Sequence, residues 1–173
     1  MTADQEKAIG EALAEGWQRE FGATCQVLAA VKDDSRDYQP DAKSRTAWQL
    51  AAHLATADIW FIGCITAGKF HFDREQAKKQ EAAFSTVNDI VEFYKTTFPE
   101  KLKALQSLPA EAMAEPVEFF NMMKMSRARW IGFANNHSIH HRGQLAAYLR
   151  AMGSKVPPIY GDSADYPMQA AGA

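Results

Sequence analysis

Residues 126–153 read SRARWIGFANNHSIHHRGQLAAYLRAMG. At about 100° per residue, Trp130, Ala134, His137, His141, Tyr148 and Met152 fall within a stripe roughly 60° wide, the inward face of one long helix. Ser126 opens that helix and Gly153 closes it, with Pro157 and Pro158 just beyond. Two imidazoles on a buried face need partners, because an unmet polar group in a core costs on the order of 1 to 3 kcal/mol. His137 and His141 are four residues apart and therefore one turn apart, so both can reach a single ion with metal–nitrogen bonds of about 2.0 to 2.1 Å. The third ligand must come from another segment.

A second helical stretch supplies one. It starts at Ser44 or Thr46 and runs to about Ala67, where Gly68 suits a left-handed terminating residue. Leu50, His53, Ala57, Trp60 and Cys64 share its apolar face, so His53 also points inward. His53, His137 and His141 are the expected metal ligands. His140 lies about 60° off the stripe and reads as flanking, and His71, after Gly68, reads as a solvated loop residue. Cys64 sits about 16 Å along the helix from His53, too far to share an ion with it. Cys25 and Cys64 read as buried free thiols, and Met122, Met123 and Met125 as gap-filling core.

The rest of the chain continues the helical theme. Thr2 to about Val31 carries Ile9, Leu13, Trp17, Phe21 and Leu28 at helical spacing, with Thr2 and Gln5 forming a capping box. Lys32 to Lys43, containing Pro40, is a polar connection. Gly68 to Ala83 is charged and without a strong period. A third long helix begins at Ser85 or Thr86 and ends before Pro109, and Pro99 predicts a kink or break within it. Ala110 to Lys124 reads as an irregular connection around Pro116, with Phe119 and Phe120 against the bundle. No run alternates as a strand would. The expected fold is all-α, a four-helix bundle with long connections, forming one domain over residues 1–173.

Composition is that of an ordinary globular chain: 173 residues, 47% hydrophobic and 23% charged. A formal net charge of −2 offers no basic field for phosphate backbones, so nucleic acid is not an expected partner. The N-terminus lacks the apolar core of a signal peptide, and the nearly apolar run Ile59 to Gly68 is far shorter than the ~20 residues of a membrane helix. Two distant cysteines suit a reducing compartment. Cytoplasmic residence without membrane association is expected.

Three stretches carry a resemblance. They are Trp48-Gln-Leu-Ala-Ala-His53 followed by Asp58 and Trp60, then HSIHHRGQLAAYLRAMG from His137 to Gly153, then VPPIYGDSAD from Val156 to Asp165. Together they resemble the DinB-like (damage-inducible) superfamily of metal-dependent hydrolases and low-molecular-weight-thiol transferases. The resemblance implies a four-helix bundle, often a homodimer, with a divalent metal on three histidines that map onto His53, His137 and His141. It also implies a small-molecule substrate, including low-molecular-weight thiols.

Three neutral histidines leave a coordination position open, which distinguishes catalytic from closed structural sites. The expected function is therefore a metal-dependent hydrolase or thiol transferase. The alternative is a bundle that holds metal or a small ligand for sensing, without turnover. Zinc suits imidazole donors best, and nickel and iron accept the same donors. Spacing places no carboxylate beside the histidines. Tyr160 and Asp162, with Asp165, are candidate catalytic groups only if the tail folds back over the bundle. Arg142 and Gln144 either brace the ligand helix or, for Arg142, form an exposed ion pair.

Overall fold

A computed structural model of the protein describes residues 1–167. Its elements are α1 (Ala3–Ala29), α2 (Ala47–Ala67), α3 (Arg74–Ala82), α4 (Val87–Gln106), α5 (Ala110–Ala114), β1 (Pro116–Phe119), β2 (Met123–Ser126) and α6 (Arg127–Ala151). The four long helices make the bundle. Helices α1 and α2 each pack against both α4 and α6, which closes a four-membered ring around one apolar core.

The helix starts follow local chemistry. Thr2 with Gln5, Thr46 with Gln49, and Thr86 with Asp89 all form reciprocal capping boxes, and Ser126 accepts from the Arg129 amide at the head of α6. Gly68 ends α2 at φ +71° and Gly153 follows α6 at the same angle, a left-handed conformation that costs a side chain-bearing residue more. Trp17, Leu28, Leu54, Ile62, Tyr94, Phe98 and Trp130 fill the interior, and the Phe21 ring stacks on Tyr94 and Phe98.

Five expectations are corrected. Residues 74–82 form α3, a helix with no buried residue, started by Asp73, whose carboxylate accepts from the Glu75 and Gln76 amides. Its run of Arg, Glu, Gln, Ala and Lys forms helix by propensity and carries no apolar period. Of the kink or break expected at Pro99, the break does not occur: helix α4 continues through it. Pro99 and Lys95 are both exposed, so the Lys95 carbonyl that loses its ladder donor can be met by water.

The third correction is an antiparallel hairpin between β1 and β2, pairing Pro116 with Ser126 and Phe119 with Met123. Phe120 and Asn121 both take positive φ, +46° and +60°, and the Met122 amide donates to the Phe119 carbonyl, as in a type I′ turn. Consequently Met122 and Met123 are exposed on the hairpin rather than filling core. Phe119 packs against the core, whereas Phe120 is exposed at the turn. Helix α2 is long and apolar enough to cross a membrane by composition, yet most of it lies inside the bundle.

Candidate metal centre

His53 on α2 and His137 and His141 on α6 meet where those two helices face each other. One ligand nitrogen from each residue lies within 4.8 Å of the other two. Ring centroids are 4.4 Å apart for His137 and His141, 4.7 Å for His53 and His141, and 5.4 Å for His53 and His137. All three are half-buried, so the cluster borders the core rather than being sealed within it.

Burial sets their protonation. Desolvation, aided by the Arg45 charge and the neighbouring imidazoles, lowers the His53 pKa to about 3, and desolvation with the His141 and His140 charges lowers His137 to about 4. Desolvation also lowers His141, against a hydrogen bond to Gln144 that favours its charged form. Neutral imidazoles are the metal-binding form. The Oε1 atom of Gln144 accepts from Nδ1 of His141 at 2.8 Å, which leaves Nε2 of that ring as the free donor. The Nδ1 atom of His137 is buried with no hydrogen-bond partner, an unmet polar atom of the kind that an ion or ligand at the cluster would satisfy. These residues fit a divalent cation.

Beside the cluster opens a cavity of about 650 Å³. His53, Thr56, Ala57 and Trp60 line it from α2 at helical spacing, and Phe133 and His137 line it from α6. Phe119 and Phe120 reach it from the hairpin, and Gln76, Ala77, Gln80 and Glu81 of α3 form its outer wall. The Trp60 indole N–H donates to the His71 carbonyl at 2.8 Å, tying the loop after α2 across the cavity. His71 itself is exposed, and so is His140, whose ring centroid is 5.0 Å from that of His141.

Other groups brace α6. Arg142 is 1% exposed, and its guanidinium donates to the Glu20 carboxylate at 2.5 Å, the Thr24 hydroxyl at 3.3 Å and the Tyr160 hydroxyl at 2.6 Å. It is a buried brace, not an exposed ion pair. Tyr160 and Asp162 are absent from the cavity lining. Tyr160 is held by Arg142 and Glu20, with burial and the Glu20 bond raising its pKa, and Asp162 is exposed. Asp165 caps the tail, accepting from the Val156 amide and Arg150.

The residue that spacing alone left unassigned is Asp58. It is fully buried one to two turns along α2 from His53, and its Oδ2 accepts from the Tyr94 hydroxyl and the Ser138 hydroxyl, both at 2.8 Å. Desolvation raises its pKa to about 7 against those two bonds. Ser138 follows His137 directly, so this carboxyl pins α6 to α2 and α4 beside the histidine cluster. A charged residue in an otherwise apolar helical stretch was the available signal.

Comparisons with known proteins agree with this architecture. Residues 3–170 match the DinB family. YjoA of Bacillus subtilis (strain 168) is 26% identical over 139 residues, covering 79% of this chain and 86% of that protein. YrdA of the same organism is 26% identical over 146 residues, covering 84% of each. Both are described as uncharacterized proteins. The crystal structure of a DinB-like protein from Bacillus cereus ATCC 10987 superposes with a TM-score of 0.71 at 25% identity, covering 87% of this chain and 97% of the other. That of YjoA gives 0.67 at 22% identity over 86% and 96%. With nearly its whole length matched, a four-helix bundle in place and three histidines clustered between α2 and α6, the chain belongs to the DinB family.

Proposed function

We propose that His53, His137 and His141 hold a divalent cation with one position open to the adjoining cavity, and that the protein acts on a small molecule there. The reaction class is metal-dependent hydrolysis or transfer of a low-molecular-weight thiol. The observation that carries this reading is the convergence of three neutral imidazoles from two helices within 4.8 Å. Zinc is the preferred ion for imidazole donors with an open position.

A divalent ion in such a site lowers the pKa of a coordinated water or thiol, so a nucleophile is available near neutral pH. The chain's own residues do the rest. Gln144 holds the His141 tautomer, Asp58 and Arg142 hold α6 in place, and aromatic side chains line the cavity beside the donors. No carboxylate joins the cluster among the described residues. The exposed His140 ring beside His141 is the side chain suited to passing a proton to solvent.

Elemental analysis of untagged protein purified without chelators tests the reading. About one divalent ion per chain is expected, with near zero in a His137→Ala variant. Near-zero metal in the unmodified protein overturns it. Turnover of thiol and electrophile pairs by the loaded protein, lost in the same variant, then assigns the reaction.

A further inference from the structure

The cavity beside the histidines has a composition that selects its ligand. Trp60, Phe61, Phe72, Phe119, Phe120 and Phe133 all line it, which gives it a largely apolar, aromatic wall. Its volume of about 650 Å³ lies within the range of small-molecule sites. Besides the histidines and Thr56, its polar lining includes Asp73, Gln76, Gln80 and Glu81 around α3, with the Asp73 carboxylate already committed to the Glu75 and Gln76 amides.

Among the described residues Arg45, itself exposed, is the one Lys or Arg in the lining. Its guanidinium makes no hydrogen bond or ion pair among the described residues, in contrast to the engaged Arg36, Arg127 and Arg142. It lines the same cavity as His53 and His137, and its charge helps to lower the pKa of all three histidines. An unpaired cation beside three neutral donors favours an anion there. Aromatic rings beyond it favour a flat apolar body.

We infer that the cavity takes a flat aromatic or similarly apolar molecule carrying one anionic group, with the anion on Arg45 next to the histidines and the apolar body among Trp60, Phe72, Phe120 and Phe133. The hairpin turn fits this role. Phe120 adopts a left-handed backbone that costs a non-glycine residue of order 1 kcal/mol or more, and its ring borders the cavity. Phe72, also exposed, borders the same space from the loop after α2. Apolar surface left on these two rings is what such a ligand would cover. This assignment deepens the proposed function by naming its substrate class, and it rests on that reading for the anion's position beside a cation.

Calorimetry on the full chain tests it with three probes: 2-naphthoate, its neutral analogue 2-naphthamide, and malate, an anion without an apolar body. Naphthoate is expected to bind about three- to tenfold more tightly than naphthamide, and malate far more weakly than either. Arg45→Gln should bring naphthoate to the level of the amide while leaving the amide unchanged. Phe72→Ala, at an exposed position that the fold tolerates, should weaken both naphthalene probes together and leave malate unaffected.

Equal binding of malate and naphthoate, indifference to Arg45→Gln, or no binding of either naphthalene probe would each overturn the inference. The same titrations on chelated protein separate it from the metal reading. If the protein holds no metal, the dependence on Arg45 and Phe72 survives and only the proposed function fails. If metal binds stoichiometrically while the two variants change nothing, the cavity assignment alone fails.

Discussion

Gln144 and His141 lie three residues apart on α6, and the Gln144 Oε1 atom accepts from the His141 Nδ1–H at 2.8 Å. A side-chain carbonyl can only accept, so the bond fixes the proton on Nδ1 and frees Nε2. Gln144 is exposed, and its replacement should not disturb the core. Gln144→Ala is expected to weaken metal binding about 10- to 100-fold in competition with a chelator, while Gln144→Glu preserves it. Unchanged affinity in the alanine variant would remove the bond from any role at the centre.

The cluster and the neighbouring carboxyl give opposite pH dependences in metal-free protein. His53 and His137 have folded pKa values of about 3 and 4, below the ordinary 6.5, so below about pH 6.5 the unfolded chain takes protons that the folded chain refuses. Stability is therefore lost as pH falls from about 6.5 toward 4. Urea unfolding of chelated protein should show this loss, and His53→Gln should make it shallower. An unchanged slope would mean that His53 titrates normally.

Asp58 works the other way. Its folded pKa of about 7 exceeds its unfolded value of 3.8, so the folded state binds the extra proton and stability falls as pH rises through about 4 to 7. In an Asp58→Asn variant that contribution is absent across the same window. Subtracting its unfolding free energies from those of the parent chain should reveal a difference that changes between pH 4 and 7 and flattens above it. A difference independent of pH would show that the carboxyl is not held protonated.

Arg142 is buried against the Glu20 carboxylate, with Tyr160 completing the group. Arg142→Met leaves Glu20 partly buried without its cation and is expected to cost about 3 kcal/mol in urea unfolding. Tyr160→Phe removes only one exposed hydroxyl from the network. It should cost about 1 kcal/mol or less and speed proteolysis of the tail segment from residue 154 onward. Equal losses from the two substitutions would contradict the ranking.

Gly68 stands at φ +71°, and a Cβ there would collide with the Arg127 guanidinium. That side chain donates to the Thr66 carbonyl at 3.0 Å and pairs with Glu115, joining the end of α2 to the start of α6. Gly68→Ala combines left-handed strain with displacement of Arg127, and a loss of about 2 kcal/mol or more in thermal or urea unfolding is expected. Gly63, with open space around its Cβ position and inside the same helix, should tolerate alanine and even gain stability.

How much was readable in advance differs by element. The three clustered histidines were legible because a helix maps sequence spacing onto direction, which puts His137 and His141 one turn apart on the same side of α6. Thr2, Thr46 and Gly68 were legible because caps act within one turn. Helix α3 was not found, since it buries no side chain and shows no apolar period. The hairpin escaped because Phe120 takes a conformation that its side chain disfavours, with Asn121 the one residue suited to it. Asp58 was visible as a residue but not as a function.

The amino-acid order alone determined the four long helices and the presence of His53 on α2 and His137 and His141 on α6. The faces those two helices bury lie to one side of the expected stripes, on Ile131, Ser138, Arg142, Leu145 and Leu149 of α6 and on Leu54, Asp58, Phe61 and Ile65 of α2, which leaves the three imidazoles half-buried. Periodicity and capping are short-range physics, complete within a few residues. Only the packed structure decided that α3 and the hairpin wall off a cavity beside those imidazoles, that the exposed Arg45 joins its lining without a partner among the described residues, and that Asp58 and Arg142 lock α6. These relationships join residues tens of positions apart. Their energies come from desolvation and contact, which no local pattern encodes.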